Sequence, residues 1–381
     1  MDYLFENLEF SDYITILTYV LGFYIVIGAL ILRILDKQKI LFLRNDRNLL
    51  IVFCVFIIFL AGTRGIKIGT DTWNYYHYYF LRGIHINNLF DFFKYFQTDF
   101  IFEVIMFLTF PFKNFTVFLI TVSAIMNLTI FKFVRKFTDY GHYGSSLILF
   151  LLIASSFSFT SHQFNTIRNG IATPFVLFAI YYFSIDQFKK GLFYFVVAYF
   201  CHRTALLPFL CVILIIASYK LHYKYFLMAY VLAIGLASTG FGFDKLAFLA
   251  EIGNDDFQKL SFSGETKYRT GFRLDFVLYN SLFLFLFLKF SSLKNNTDLF
   301  LIKYYILASI VFFFNFNIPF SDRIGVYSWI VIPLLLFNTI NLSFPKKKLY
   351  VLSLVTLFYF AINYIILPLL TSSAQNSLEH Y

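Results

Sequence analysis

The sequence carries little charge for its length. Of its 381 residues only 14% are charged and 59% are hydrophobic, whereas a soluble globular domain averages about 25% charged residues. Covering so much apolar surface requires lipid, which excludes a soluble enzyme. Cysteine is scarce as well: Cys54, Cys201 and Cys211 lie in apolar segments without metal-ligand spacing, so we interpret them as packing residues.

Several sequence motifs are missing. There is no Gly-x-x-x-x-Gly-Lys-Ser/Thr phosphate loop, no Gly-x-Gly-x-x-Gly fingerprint, no His-Glu-x-x-His zinc motif and no Asp-x-Asp pair. We therefore expect neither a cofactor nor a bound metal. The net charge of +10 would suit nucleic acid, but the Lys and Arg residues lie mainly in short loops between apolar segments, where membrane topology explains them. We expect no nucleic-acid partner.

Long apolar blocks are what the sequence does contain. They run for roughly 17–22 residues, the length that a helix needs to cross a hydrocarbon core about 30 Å thick. Residues 13–32, 226–237 and 349–369 are apolar nearly all round, whereas the strands of a membrane barrel would alternate. The sequence predicts an all-α, polytopic transmembrane helical bundle with about 11–12 spans, some broken or re-entrant, as a single integral membrane domain over 1–381.

Charge gives the expected orientation, because basic residues in short loops mark the cytoplasmic side. Arg33, Arg44 and Arg47 follow the first apolar block, and Lys346–Lys348 precede the last. Residues 1–12 carry four acidic and no basic residues, so we expect no cleavable signal peptide. Both termini are then predicted outside, with segment 63–114 and loop 241–272 as outer, substrate-facing elements.

Polar residues concentrate at the predicted outer ends of the helices. The positive-inside bias predicts few arginines there, and charges at membrane depth usually face a partner, a cavity or a substrate. We therefore expect an outer-face polar cavity that binds a large anion such as a diphosphate. The residues concerned are Arg64, Lys67, Asp71, Gln163, Arg168, His202, Arg203, Arg269, Arg273, Asp322 and Arg323.

Residues 63–76 combine cations, a carboxylate and aromatic rings. Arg64 and Lys67 would form a cradle for an anion, and Trp73 with its tyrosine neighbours a surface for a sugar or a lipid headgroup. Asp71 would accept the proton of a hydroxyl group. A capped interfacial helix with an aromatic belt, or a structural ion pair between Asp71 and Arg64, explains the same residues.

Two later positions also stand out. Arg168 lies one turn inside the predicted N-terminal end of a span, where the helix dipole and the guanidinium favour a phosphate; snorkelling to the headgroups is the alternative. His202 and Arg203 interrupt an apolar run, which predicts two short helices, 192–201 and 204–217, meeting at a polar cavity. His202 would be an acid or base there, or else a hydrogen-bonded core residue.

Short motifs spread over most of the chain resemble those of a known family. They run from Arg64 to Asp71-Thr72-x-Asn74-Tyr75, then Phe102-Glu103, Gln163-x-x-x-x-Arg168-x-Gly170-x-Ala172, Phe200-x-His202-Arg203-Thr204-Ala205-Leu206 and a late Arg323. Together they resemble the EpsG-like branch of the Wzy polysaccharide polymerases.

The resemblance implies a bacterial glycosyltransferase that assembles capsule, exopolysaccharide or O-antigen at the outer face of the cytoplasmic membrane. Its substrates would be oligosaccharide repeat units carried on undecaprenyl diphosphate. The growing glycan would pass from the lipid diphosphate to a sugar hydroxyl of another lipid-linked unit. A chain-length regulator and a flippase of the same pathway would be its partners.

The resemblance also implies roles for individual residues. Arg168, Arg203 and Arg323 would hold the diphosphates, and Asp71, Glu103 or His202 would be the base for the acceptor hydroxyl, with Asp71 preferred. The predicted catalytic residues are thus Asp71, Arg168, His202 and Arg203, and the predicted substrate-binding residues are Arg64, Lys67, Trp73, Asn74, Tyr75, Glu103, Gln163, Arg269, Arg273 and Arg323. Loop 241–272 has one arginine where the family's outer loop usually has more.

Two other classes of protein remain open. A transporter or flippase of lipid-linked oligosaccharides would also place cations around a cavity, although the sequence shows no repeat that would indicate alternating access. A membrane acyltransferase that modifies surface polysaccharide would use His202 as its base, although the sequence makes no acidic partner for that histidine evident.

Overall fold

Every regular element is helical in the part of the chain that the structure describes. The computed structural model describes residues 9–35, 38–95, 99–141, 144–245, 270–291, 293 and 295–368, and no strand occurs among them. This confirms the all-α bundle. The chain divides into two compact units. The first unit comprises residues 1–181, 189–203 and 344–381, and the second comprises residues 182–188 and 204–343. The single domain expected over 1–381 stays a prediction.

Most of the described helices follow one another with short connections. Those that begin before residue 203 are α1 (Phe10–Leu35), α2 (Lys39–Gly62), α3 (Thr70–Asn74), α4 (Leu81–Gly83), α5 (Leu89–Tyr95), α6 (Phe100–Thr109), α7 (Phe115–Gly141), α8 (Ser146–Ala154), α9 (Phe157–Phe164), α10 (Ile167–Ser184) and α11 (Phe188–Cys201). The later ones are α12 (Leu206–Ala217), α13 (Tyr223–Ser238), α14 (Leu274–Phe290), α15 (Asn296–Phe313), α16 (Asp322–Trp329), α17 (Ile332–Ser343) and α18 (Lys348–Ala361).

Six helical segments of the described chain are long and apolar enough to cross a membrane. They are Phe10–Ile34, Ile40–Gly62, Phe115–Asp139, Asn296–Phe313, Asp322–Ser343 and Lys348–Ile366, and the pair α8 and α9, bent by 78°, would make a seventh. The protein is therefore a multi-pass membrane protein. The expected 11–12 spans stay a prediction, because several apolar helices, such as α12 and α13, are shorter than the roughly 20 residues of a full span.

The predicted break at His202 is present. Helix α11 ends at Cys201, a 3-10 turn covers Arg203–Ala205, and α12 begins at Leu206. The predicted boundaries, 192–201 and 204–217, therefore agree with the observed helices to within a few residues. A break leaves backbone N–H and C=O groups without their helical hydrogen bonds. Polar side chains such as those of His202 and Arg203 make such a break less costly than it would be in lipid.

The predicted outer segment 63–114 is built from short helices around an aromatic core. A π-helical stretch, Tyr75–Phe80, joins α3 to α4, and α5 and α6 follow. Phe80 and Phe92 pack edge-on against Phe110, at 5.6 and 5.4 Å between ring centroids. Such edge-to-face pairs add to the stabilisation from burial alone. Aromatic packing thus stabilises this segment.

The start of α3 lies directly on the residues that link α9 to α10. The Thr72 hydroxyl donates to the Phe164 carbonyl at 3.2 Å, and the Asp71 N–H donates to Asn165 Oδ1 at 3.1 Å. Gly69, with φ +86°, precedes them, and a Cβ there would stand 2.0 Å from the Phe164 carbonyl oxygen. Only glycine permits this approach. Residues that are 92 and 94 positions apart in sequence are therefore held side by side.

Replacing Gly69 by alanine is expected to destabilise this contact strongly. Alanine at positive φ costs roughly 1–2 kcal/mol, and the added methyl must also push α3 away from Phe164. We expect the melting temperature of the purified protein in detergent to fall by about 2 °C or more. Gly65→Ala is the matched control, because a Cβ at Gly65 meets only Ile68, at 4.0 Å. Equal melting temperatures for the two variants would contradict this account of the contact.

Candidate functional site

A buried carboxylate, Asp99, gathers three donors from distant parts of the first unit. Its Oδ2 accepts from Arg168 Nη1 at 3.2 Å and lies 2.9 Å from His202 Nδ1, and its Oδ1 accepts from the Arg203 N–H at 3.1 Å. Its side chain is 3% exposed. A buried carboxylate needs such partners, because an isolated charge at low dielectric is unstable. Asp99 thereby ties the start of α10 to the helix break at residue 202.

The backbone explains why this carboxylate is available. Asp99 precedes α6 in an extended conformation, the usual place for a residue that caps a helix, yet its side chain accepts no hydrogen bond from α6. The carboxylate is directed to Arg168 and His202 instead. Burial raises the pKa of Asp99, but the hydrogen bond from His202 and the charges of His202 and Arg168 outweigh burial, so that the pKa lies below its ordinary value. Asp99 is therefore ionised at neutral pH.

Arg168 is held in a fixed orientation, and two of its five N–H donors are used for this. Its Nε donates to the Tyr75 hydroxyl at 2.9 Å and its Nη1 to Asp99, while the guanidinium lies 5.3 Å from the centre of the Tyr75 ring. Among the described residues, Nη2 of Arg168 has no hydrogen-bond partner, and 27% of the side chain is exposed. An oriented guanidinium with an open N–H is well suited to a phosphate oxygen.

A cavity of about 280 Å³ opens in front of this guanidinium. It is lined by Asp71, Asn74, Tyr75, Tyr78, Tyr79 and Arg168. Asp71 is the only carboxylate among these described lining residues. The cavity therefore brings the carboxylate of Asp71 and the guanidinium of Arg168 to the same small volume. Asp71 follows Gly69, and Arg168 follows the Phe164 carbonyl that Gly69 approaches.

A second, more open cavity of about 770 Å³ adjoins the first. Its lining residues are Phe10, Lys67, Gly69, Trp73, Asn74 and Asn165, so Asn74 belongs to both cavities. Trp73 is 42% exposed, and the His77 ring lies against it at 3.8 Å between ring centroids. Exposed indole rings beside polar groups bind sugars through their apolar faces. The predicted binding residues Lys67, Trp73 and Asn74 thus line a single surface.

His202 has the geometry of an oriented histidine. Its Nδ1 faces Asp99, which favours the tautomer that carries the proton on Nδ1 and leaves Nε2 as an acceptor. The side chain is 21% exposed. No acidic partner of His202 was evident from the sequence. In the structure its partner is Asp99. Asp99 was missed because a lone aspartate before an apolar helix has the signature of an ordinary cap.

Other predicted residues lie in different surroundings. Arg64 is 1% exposed and donates to the Ala61 carbonyl and to Thr72 Oγ1, so its side chain supports the start of α3. Gln163 and Asn127 exchange amide hydrogen bonds of 3.0 and 3.1 Å inside the first unit. Glu103 is 3% exposed, one turn after Asp99 on α6. Arg203 is exposed, and its backbone N–H donates to Asp99.

The remaining predicted arginines belong to the second unit or lie outside the described residues. Arg273 forms a bidentate pair with Asp275, at 3.0 and 2.6 Å, and its guanidinium covers the Phe276 ring. Arg323, near the start of α16, lies over the Phe320 ring at 4.7 Å. Arg269 and most of loop 241–272 lie outside the described residues. Substrate binding by these three arginines stays a prediction.

Metal ligands do not gather in the described part of the chain. No group of three or more His, Cys, Asp or Glu side chains is placed there to hold a metal ion.

Comparison with known proteins gives one match. The EpsG family matches the chain over residues 47–378, which includes both cavities except Phe10 and every residue of the Asp99 cluster. No curated protein and no solved structure matches. Because the match covers most of the chain, the protein belongs to the EpsG family, a family of Wzy-like polysaccharide polymerases.

Proposed function

We propose that this protein joins oligosaccharide repeat units carried on undecaprenyl diphosphate, at the outer face of the bacterial cytoplasmic membrane. The observation that carries the proposal is the shared cavity of Arg168 and Asp71. One group binds a phosphate and the other takes a proton, which are the two tasks of a glycosyl transfer with a diphosphate leaving group. The basic loops support an orientation with both termini outside.

The reaction moves one proton and one electron pair. The acceptor hydroxyl oxygen attacks the anomeric carbon of the donor glycan, and its proton passes to the Asp71 carboxylate. The bond from the anomeric carbon to the diphosphate oxygen breaks, and its electron pair stays on the diphosphate. Arg168 stabilises the charge that develops on the leaving group, through a guanidinium already oriented by Asp99 and Tyr75.

The two cavities divide the substrates between them in this proposal. The smaller one receives the donor diphosphate beside Arg168, and the larger one receives sugars of the acceptor on Trp73, with Lys67 near its lipid diphosphate. Asn74 faces both. Arg64 acts indirectly, because its hydrogen bond to Thr72 supports the helix that carries Asp71 and Asn74. A chain-length regulator and a flippase would be the pathway partners.

The test of this function is a gene deletion combined with reconstitution. Lipid-linked glycans extracted from the deletion strain are added to liposomes that contain the purified protein, and the products are separated by gel and mass spectrometry. A ladder of multiples of the repeat unit supports polymerisation. Movement of single units across the bilayer without a ladder indicates a flippase, and a mass increase of an acyl group without a ladder indicates an acyltransferase; either result rejects the proposal.

Replacing Asp71 by asparagine is expected to lower the polymerisation rate roughly 100-fold or more, because a general base contributes about 10²–10⁴-fold. The bond from its backbone N–H to Asn165 does not depend on the side chain, so the fold should persist. The measurement is the initial rate of ladder formation in liposomes. Asp91→Asn, at an exposed carboxylate on α5 of the same segment, is the control and should keep its rate.

His202→Gln tests His202 against Asp71 as the base. If Asp71 is the base, this variant should lose only about tenfold, through weaker support of Asp99 and Arg168. The reverse ranking, with His202→Gln the more severe change, would transfer the role of base to the Nε2 atom of His202.

A further inference from the structure

A basic cavity lies at the other end of α1 from the candidate active site. It has a volume of about 440 Å³, and its lining includes Arg33 near the C-terminal end of α1 and Lys346, Lys347 and Lys348 at the start of α18. Arg33 and these lysines belong to the same unit. A cavity of this volume falls within the usual range for small-molecule sites, about 300–1,000 Å³.

The cations of this cavity lack acidic partners among the described residues. None of the ion pairs formed there includes Arg33 or the three lysines. Arg33 lies 5.4 Å from the centre of the Tyr350 ring, which holds its guanidinium at the cavity. Four positive charges around one concave volume repel each other, so an anion bound among them relieves the repulsion. The ligand of this site should therefore be anionic.

An apolar groove continues from the cavity along the two helices. Ile25, Val26, Ala29 and Leu30 of α1 face Leu354 and Leu357 of α18 across a volume of about 170 Å³. Arg33, Leu349 and Tyr350 line both the groove and the basic cavity. A free phosphate would need only the cavity. The continuous groove adds a surface for a hydrocarbon chain, and the positive-inside rule explains the charges but not the groove.

The two sites are separated by about one membrane thickness. Phe10 lines the larger cavity of the candidate active site, and Arg33 lines the basic cavity. Both belong to the uninterrupted helix α1, and the 23 residues from one to the other correspond to roughly 35 Å at 1.5 Å per residue. The basic cavity therefore lies at the opposite membrane surface, where anionic headgroups attract Lys and Arg side chains.

We propose that this cavity and groove form a binding site for one anionic phospholipid of the leaflet opposite the active site. The phosphodiester lies among Arg33 and Lys346–Lys348, and an acyl chain lies in the groove between α1 and α18. The lipid bridges the two helices, which come from opposite ends of the sequence. The proposal does not depend on the polymerase reaction.

The test compares phosphatidylglycerol with phosphatidylcholine. The full-length protein in neutral detergent is titrated with each lipid, and binding is measured by native mass spectrometry and by the melting temperature. We expect phosphatidylglycerol to bind more tightly and to raise the melting temperature. The quadruple variant Arg33→Gln, Lys346→Gln, Lys347→Gln, Lys348→Gln should bind it at least about tenfold more weakly, since each cation near anionic lipid contributes roughly fivefold.

Matched variants decide what the site recognises. The control quadruple Arg47→Gln, Lys132→Gln, Lys136→Gln, Lys189→Gln also removes one arginine and three lysines, all exposed and none lining the cavity; it should bind phosphatidylglycerol normally. Equal losses in both quadruples would overturn the proposal, because the attraction would then be unspecific.

The groove is tested separately. Ala29→Trp fills it and should weaken phosphatidylglycerol binding, whereas Phe23→Trp, at an exposed position of α1 outside the groove, should not. Inorganic phosphate at equal concentration should give no shift in melting temperature. A full shift with inorganic phosphate, or unchanged lipid binding by Ala29→Trp, would show that the cavity takes a free anion and would overturn the lipid proposal.

Discussion

Replacing Arg168 by alanine is expected to lower the polymerisation rate by about 100-fold or more, the usual loss when one oriented donor to a developing charge is removed. Arg168 holds its guanidinium at the cavity through Tyr75 and Asp99 and retains the N–H donors of Nη2 for a ligand. Its loss removes those donors and one lining side chain of the cavity. The measurement is the initial rate of ladder formation with lipid-linked repeat units in liposomes.

Two further variants sharpen this prediction. Arg168→Lys keeps a positive charge but cannot donate to Tyr75, Asp99 and a phosphate in the same fixed geometry, so we expect at least about a tenfold loss. Arg44→Ala removes an exposed arginine on α2 and should keep the wild-type rate. All three proteins should be present in the membrane in equal amounts. Ordinary polymer from Arg168→Ala would remove this residue from the mechanism.

Replacing Asp99 by asparagine is expected to reduce both stability and activity. The change leaves the guanidinium of Arg168 without its buried counter-charge, and breaking a buried pair from one side costs roughly 3 kcal/mol or more. We expect the melting temperature in detergent to fall by about 4 °C or more. Polymerisation should fall roughly 10–100-fold, because Arg168 and His202 lose the group that orients them.

A double-mutant cycle separates the pair from general damage. Arg168→Gln removes the other partner, and the stability loss of the double variant should be smaller than the sum of the two single losses by about 0.5–3 kcal/mol. Strictly additive losses would mean that the 3.2 Å pair of Asp99 and Arg168 contributes nothing as a pair.

The pH dependence of Asp99 follows from the direction of its shift. Its pKa is lower in the folded protein than in the unfolded chain, where the pKa of an aspartate is about 3.9. Its contribution to stability is therefore present above that value and lost as the pH falls through the folded pKa. The difference in melting temperature between the wild type and Asp99→Asn should be constant at neutral pH and shrink below about pH 4. A difference that grows on acidification would contradict the sign of the shift.

The helical architecture and the helix break were predictable, because both follow from local properties of the sequence. Apolar runs that are long enough to cross a membrane must be buried in lipid or protein. A polar pair such as His202-Arg203 within such a run interrupts the helix. The same reasoning placed Asp71 and Arg168 at one site, and the structure brings them to one cavity.

The partners of these residues were not predictable, because they depend on tertiary contacts. Asp99 has the sequence signature of a helix cap and instead binds side chains 69 and 103 positions away. Gln163 has the signature of a site residue, yet Asn127 occupies its amide. Arg64 is polar enough for a binding site and is buried beneath α3. The sequence shows which side chains lose free energy of solvation when they are buried. It does not show which neighbouring group forms the compensating hydrogen bond or ion pair.

Helix α3 also acts as a partition between the two cavities. Within one turn it presents Asp71 to the smaller cavity, Trp73 to the larger one and Asn74 to both. A helix rotates by about 100° per residue, so inserting or deleting a single residue between Gly69 and Asn74 would turn these side chains toward the wrong cavity. The number of residues in this segment therefore matters as much as their identity, and its length should vary less than its sequence.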